Sequence, residues 1–245
     1  MMATLAKKTA ANQPRLDKSI KAVMFDAVGT LMVPEPSVAR AYFEAGKQFG
    51  SQLDEATLAA RFRTAMALED RKDGERFGGR TDQCREYGRW VRIVDRVFDD
   101  VSDSSELFAV LWDHFASAAN WRLRPDVAGL WAALRKRKLI VGVASNFDDR
   151  LVAICSRLAP LDKETHIFAS SQLGWRKPAV GFFREIESRL GLAPEQLLLV
   201  GDDMLHDYTA AREAGWHAML LDPQGGSTDT PHLRALSELT TIIEA

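Results

Sequence analysis

The stretch IKAVMFDAVGT, residues 20–30, is an apolar run of strand length that ends on an acid and then turns through a glycine. A single lysine interrupts the apolar run, Asp26 closes it, and Gly29 gives the chain its turn before Thr30. Downstream the rhythm changes. From residue 36 to about 119, the stretches VARAYFEAGKQF, LAARFRTAMALE, CREYGRWVRIVDRVF and ELFAVLWDHFASA place apolar residues three and four apart. That spacing predicts four amphipathic helices with no convincing strand between them. Breaks are expected at Gly50 and Ser51, over residues 74–79, and over residues 102–105.

Beyond residue 125 the elements alternate. A helix over 126–137 leads to the strand LIVGVAS, and a helix over 148–158 to the strand HIFAS. A helix over 180–190 precedes LLLVG, a helix over 206–214 precedes HAMLL, and HLRALSELTTIIEA reads as a terminal helix packed on the core. Strands alternating with helices predict a parallel sheet covered on both faces. The long strands carry no polar-apolar alternation, as a sheet buried on both sides requires. The predicted fold class is therefore α/β: a Rossmann-like parallel-sheet core interrupted after its first strand by an all-helical insert. The expected parts are a flexible tail over 1–19, a core over 20–33 and 123–245, and a helical cap over 34–122.

Composition sets the outer bounds. The 245 residues are 46% hydrophobic and 27% charged, with a formal net charge of −2. No overall field favours a polyanion, so neither nucleic acid nor an acidic membrane is an expected partner. Short basic runs, such as the one from Arg135 to Lys138, read as solvated helix faces. Cys84 and Cys155 are far apart and form no CxxC pair, which fits a reduced, cytoplasmic setting. No apolar run approaches the roughly 18 residues needed to span a bilayer.

Ligands of open parallel sheets bind outside the carboxyl ends of the strands. The residues expected there are Asp26, Ser145, Asn146, Asp202 and Asp203, with Lys177 in the loop after HIFAS. One acid at a strand end is ordinarily a cap or a turn former. Asp26, Asp202, Asp203 and Asp207 in one crevice are different, because uncompensated carboxylates repel one another. A hard divalent cation such as Mg²⁺ removes that conflict. Lys177 supplies a point charge, Thr30 and Ser145 hydroxyl donors, and the turn after Asp26 backbone amides. Such a group suits phosphoryl transfer to a carboxylate.

FDAVGTL, VASN, RKP and VGDDMLHD, in that order, resemble the four motifs of the haloacid dehalogenase superfamily. The resemblance covers about residues 21–222, and the helical insert resembles the C1-type cap of one subfamily. SNFDDRL and VGDDMLHDYTAAREAGW look closest to the group around haloacid dehalogenase-like hydrolase domain-containing protein 3. The resemblance implies Asp26 as nucleophile and Mg²⁺ ligand, with the Val28 backbone carbonyl and Asp202 as further ligands. Asp207 anchors the metal or holds the lysine, and Asp203 competes with it for either duty. Ser145 and Asn146 bind phosphoryl oxygens, Lys177 neutralises charge on the aspartyl-phosphate, and the cap selects a small phosphorylated metabolite.

One departure stands out. The superfamily's phosphatases carry Asp-x-Asp-Gly-Thr, whereas this chain has Val28 in place of the second acid. That acid protonates the leaving group and then activates water, help typically worth about 10²–10⁴ in rate. A slow phosphatase is the first expectation, a phosphate or metal binder without turnover the second, and a 2-haloacid dehalogenase the third. His206 reads as polar surface, and Gly78, Gly79 and Arg80 as an interhelical turn able to reach the site. Trp90, Trp112 and Trp121 read as packing, and Trp175 as a border of the entrance.

Overall fold

The computed structural model describes residues 17–161, 164–226 and 230–244. The tail expected over 1–19 lies outside them, except for Asp17, Lys18 and Ser19. The chain opens with β1 (Ala22–Phe25) and β2 (Met32–Pro34), and then forms α1 (Val38–Gln48), α2 (Glu55–Phe77), α3 (Gln83–Val97) and α4 (Ser104–Ala116). It returns through β3 (Trp121–Leu123), α5 (Val127–Lys136), β4 (Ile140–Ser145), α6 (Arg150–Cys155) and β5 (His166–Ala169). There follow α7 (Ser170–Leu173), α8 (Val180–Leu190), β6 (Leu197–Gly201) and a π-helical turn over Met204–Thr209. The last elements are α9 (Ala210–Glu213), β7 (His217–Leu221), β8 (His232–Leu233) and α10 (Leu236–Glu244).

Six strands form one parallel sheet in the order β5-β4-β1-β6-β7-β8. β1 lies inside it, with Ala22 in register with both Ile140 and Leu197. The order reverses beside β1, so the crevice at the carboxyl ends opens where Asp26 leaves the sheet. The inner strands β1 and β6 bury both faces. Val23, Phe25, Leu198 and Val200 pack with Trp131 and Leu236 on one side. Ala22, Met24, Leu197 and Leu199 meet Phe182, Phe183 and Trp216 on the other. Each Val, Leu, Met or Phe side chain among them contributes about 1.5–3 kcal/mol on burial. With both faces apolar, the period-2 signal disappears from the sequence.

The four expected helices lie between β2 and β3. Those two strands pair antiparallel, Met32 against Leu123, so the chain leaves and re-enters the core along one narrow ribbon. They are too short to show in the sequence pattern, as is β8, which begins the stretch expected to be wholly helical. Ser37, Asp54, Asp82 and Asp103 each cap one of the four helices by accepting from a first-turn amide. Tyr42, Leu58, Ile93, Val97 and Leu107 give these helices a core of their own. α2 continues through Gly74, where a break was expected, and ends at Gly78 and Gly79, both with positive φ. Among the described residues, no helix is long and apolar enough to cross a membrane.

Between α2 and α3 lies a buried carboxylate. Burial alone would raise the Glu69 carboxyl, but hydrogen bonds from Arg92, Arg96 and Lys72 outweigh it and hold the pKa at about 2. A depressed carboxyl stabilises the fold above its unfolded value and loses that contribution as pH falls toward its folded one. Glu69→Gln should therefore cost about 1–3 kcal/mol in urea unfolding at pH 7. The gap from the parent protein should begin to close below about pH 4.5. A gap that stays constant down to pH 3 would contradict this role.

Candidate active site

Lys177 reaches across the carboxyl edge of the sheet from the loop after α7. Its ammonium donates to Asp26 Oδ1 at 2.7 Å, to Asp207 Oδ1 at 2.5 Å and to the Ala144 carbonyl at 3.0 Å. Burial disfavours its charge, yet Asp207 and Asp26 more than restore it, so the Lys177 pKa lies above the ordinary lysine value. Asp207 is raised, chiefly by burial, with Lys177 opposing and Asp26 adding to the shift. Asp202 reaches solvent, but the protein packed around it still raises its carboxyl; a Thr30 hydrogen bond offsets part of this and Asp207 adds to it. Three carboxylates against one ammonium leave two negative charges uncompensated.

That excess fits a divalent cation. Asp26, Asp202 and Asp207 each offer an oxygen, and these oxygens lie within 4.8 Å of one another. Two glycines make room for them. A Cβ at Gly29, whose φ is +92°, would lie 2.2 Å from Asp202 Oδ2. A Cβ at Gly201 would lie 2.2 Å from the Asp207 carboxylate. All-oxygen donors of this charge suit Mg²⁺, which keeps waters in its remaining positions.

Several expected roles change in the structure. Asp203, expected among the metal ligands, is not in the cluster, and Asp207 takes that place. The Asp203 carboxylate accepts from the amides of Leu205 and His206 and pairs with His206, so it caps the π-helical turn. The hydrogen bond from His206 holds the Asp203 carboxyl well below the usual range. The wide turn brings Asp207 back over the strand end, where its Oδ2 accepts from the Asp203 amide at 3.1 Å. Thr30, expected to bind substrate, is fully buried and donates to Asp202 Oδ1 at 2.8 Å. Its hydroxyl fixes that carboxylate instead.

Asn146 spends its side-chain amide on the protein itself. Its Oδ1 accepts from the Lys177 amide at 2.7 Å, and its Nδ2 donates to the Lys177 carbonyl at 2.9 Å. Both ends of its amide are thus engaged in placing the lysine. Ser145 is buried as the last residue of β4, in register with Ala169. In the turn after β1, the Asp26 amide donates to Val200 and the Gly29 amide to Met32, so neither is free for an anion. Val28 is among the exposed large apolar residues.

Other charged residues escaped the sequence reading. Arg124 donates through Nε and Nη2 to the Gly29 carbonyl and steadies the nucleophile turn. Arg176, beside Lys177, is buried against Glu86 of α3 at 2.6 and 2.7 Å. Arg89 is buried against Asp70 and Asp73. One signal was present: Glu86 and Arg89 lie on the same stripe of α3 as the buried Ile93 and Val97. The turn at Gly79 also reaches the core, its carbonyl accepting from Arg176 N at 2.8 Å. Arg80 stacks on Trp175 at 4.3 Å.

A parallel sheet with this acid-and-lysine edge and a helical insert after its first strand defines a hydrolase class. The chain matches the family model for haloacid dehalogenase-like hydrolase over residues 20–215, and it belongs to that family. It is 26% identical over 211 residues to haloacid dehalogenase-like hydrolase domain-containing protein 3 of Xenopus laevis, covering 84% of this chain and 86% of that protein. It is 28% identical over 214 residues to Rhythmically expressed gene 2 protein of Drosophila melanogaster, covering 81% and 82%. Among solved structures it is similar to the HAD-hydrolase YfnB from Bacillus subtilis bound to magnesium. The TM-score is 0.72 and the identity 20%, with 92% of this chain and 99% of that chain covered. The defluorinating L-2-haloacid dehalogenase Rha0230 gives a TM-score of 0.73 at 19% identity, covering 92% and 96%. At those identities the structural likeness shows the fold.

Mg²⁺ at 100 times its Kd should stabilise the protein by about 2.7 kcal/mol, read as a rise in melting temperature. Asp202→Asn and Gly201→Ala should largely abolish that rise, whereas Asp203→Asn should leave it. An equal response in all three variants would contradict the ligand set.

Proposed function

We propose that this hydrolase is a slow Mg²⁺-dependent phosphatase that hydrolyses a small phosphomonoester through an aspartyl-phosphate on Asp26. The observation that carries the reading is the Lys177 ammonium, shared between Asp26 and Asp207 beside an uncompensated carboxylate cluster. Asp26, Asp202 and Asp207 would hold the Mg²⁺, with the Val28 backbone carbonyl as a further ligand. The bound ion supplies charge neutralisation between nucleophile and phosphoryl group.

The chain's own residues perform the rest. An Asp26 carboxylate oxygen attacks phosphorus, and the ester oxygen departs with its electron pair. Lys177 offsets negative charge on the transferring group, and Ser145 supplies a hydroxyl donor. Water then attacks phosphorus, releasing inorganic phosphate and restoring Asp26. Val28 can neither protonate the leaving oxygen nor activate the water, which is why turnover is slow. In this reading residues 34–122 are the cap that selects substrate, residues 20–33 and 123–245 are the core, and the protein works in the cytoplasm on a phosphorylated metabolite.

Val28 also favours a second reading, a metal and phosphate binder without turnover. Tight binding of Mg²⁺ with beryllofluoride, in the absence of any hydrolysis, would support it. The 2-haloacid dehalogenase reading predicts halide release in the presence of chelator; the Asp202–Asp207 cluster weighs against it, since that chemistry needs no metal. A metabolite panel assayed for phosphate release should show Mg²⁺-dependent activity that Asp26→Asn abolishes. Val28→Asp should raise the rate, up to about 10²–10⁴-fold. No release from any ester would sink the phosphatase reading.

A further inference from the structure

An apolar cavity of about 220 Å³ opens beside the acidic edge, between the four-helix insert and the core. Val28 and Asn146 lie in its wall on the side of the nucleophile, and Tyr42, Phe62, Trp90 and Trp112 line it from the insert. The charged group and the side-chain amide in the wall are already engaged. Arg150 donates through Nε and Nη2 to Asp148 and through Nη1 to the Trp112 carbonyl, with its guanidinium 3.4 Å from the Trp112 ring centroid. The Asn146 amide is bound at both ends to the Lys177 backbone. No unpaired charge in the wall awaits a ligand. The three tryptophans read from the sequence as packing, Trp90, Trp112 and Trp121, all face this space.

We propose that this cavity is the leaving-group subsite and that the substrate is an aryl phosphomonoester, its ring held between the insert and Phe147. The inference rests on the phosphatase reading of Asp26. Continuity places the occupant: Val28, two residues after the nucleophile, is itself part of the cavity wall. Size sets its class. A dry cavity of about 150 Å³ takes benzene, so this one holds a substituted or fused ring. The same residue that completes the apolar wall removes the general acid, and an aryl oxygen tolerates that loss. A phenol has a pKa of about 10, against about 16 for water and simple alcohols, so phenolate leaves without a proton. In the step, the bond from Asp26 oxygen to phosphorus forms and the bond from phosphorus to the aryl oxygen breaks. The electron pair departs on the phenolate, which takes its proton from solvent. Water then cleaves the aspartyl-phosphate, regenerating the carboxylate and releasing phosphate and a proton.

The cavity is tested apart from turnover. Calorimetry with 2-naphthol on the full-length Asp26→Asn protein should show saturable binding without Mg²⁺. Met66→Trp, which fills the space, should weaken that binding at least about tenfold, and Val38→Phe gives the same test from another wall. In the enzyme with Asp26 intact, kcat/KM should fall at least about tenfold from 2-naphthyl to phenyl phosphate, whose leaving groups are similarly acidic, and further to glycerol 3-phosphate. Absent naphthol binding, binding untouched by both filling variants, or equal kcat/KM for the naphthyl and glycerol esters would overturn the assignment. Naphthol binding with no phosphate released from any ester would overturn the phosphatase reading and its leaving-group step, and would leave an apolar-ligand site in place.

Discussion

The ammonium of Lys177, held between the carboxylates of Asp26 and Asp207, is the interaction around which the acidic edge of the sheet is arranged. A buried ammonium is costly unless it is paired and hydrogen-bonded. Here two carboxylates and the Ala144 carbonyl take its three protons. The surroundings serve to keep it there. Asn146 clamps the Lys177 backbone from the end of β4, and Arg176, the residue before the lysine, donates to Glu86 in the helical insert. The insert is thereby fixed to the core one residue from the lysine.

The sheet explains why these groups meet. Asp26, Ser145 and Asp202 come from three separate segments, yet β1, β4 and β6 are adjacent and parallel, so their carboxyl ends coincide. Crowding three acids there leaves an electrostatic conflict that one lysine cannot settle. Burial raises the carboxyls of Asp202 and Asp207, neighbouring carboxylates add to both shifts, and a divalent cation would relieve that added repulsion. Gly29 and Gly201 matter for a steric reason: each lies where a methyl group would collide with a carboxylate of the cluster.

Much of this was legible beforehand, and the boundary has physical causes. LLLVG and HAMLL could be read as strands because a run buried on both faces is continuously apolar, and the structure reproduces both spans. That Asp26, Lys177 and Asp202 would meet followed from their places at strand ends. The choice between Asp203 and Asp207 did not, because it depends on a π-helical turn that no short-range pattern announces. That turn points one carboxylate at its own amides and brings the other back over the sheet. Thr30 and Asn146 were expected to bind substrate, and in the structure they engage Asp202 and the Lys177 backbone. A polar side chain near a site can bind either a ligand or the machinery, and only the partners within reach decide between them. The two-strand ribbon and β8 are two or three residues long, below the length at which periodicity carries information.

Val28 links the chemistry to the shape of the site, since one substitution removes an acid and completes an apolar wall. The central proposal is that Asp26 itself carries the phosphoryl group, and it can be read directly. Enzyme quenched in acid during turnover of an aryl phosphate, reduced with borohydride and digested, should yield the peptide around position 26 with Asp26 converted to homoserine. Phosphate release with that aspartate unmodified, or with reduction at another acid, would contradict the account.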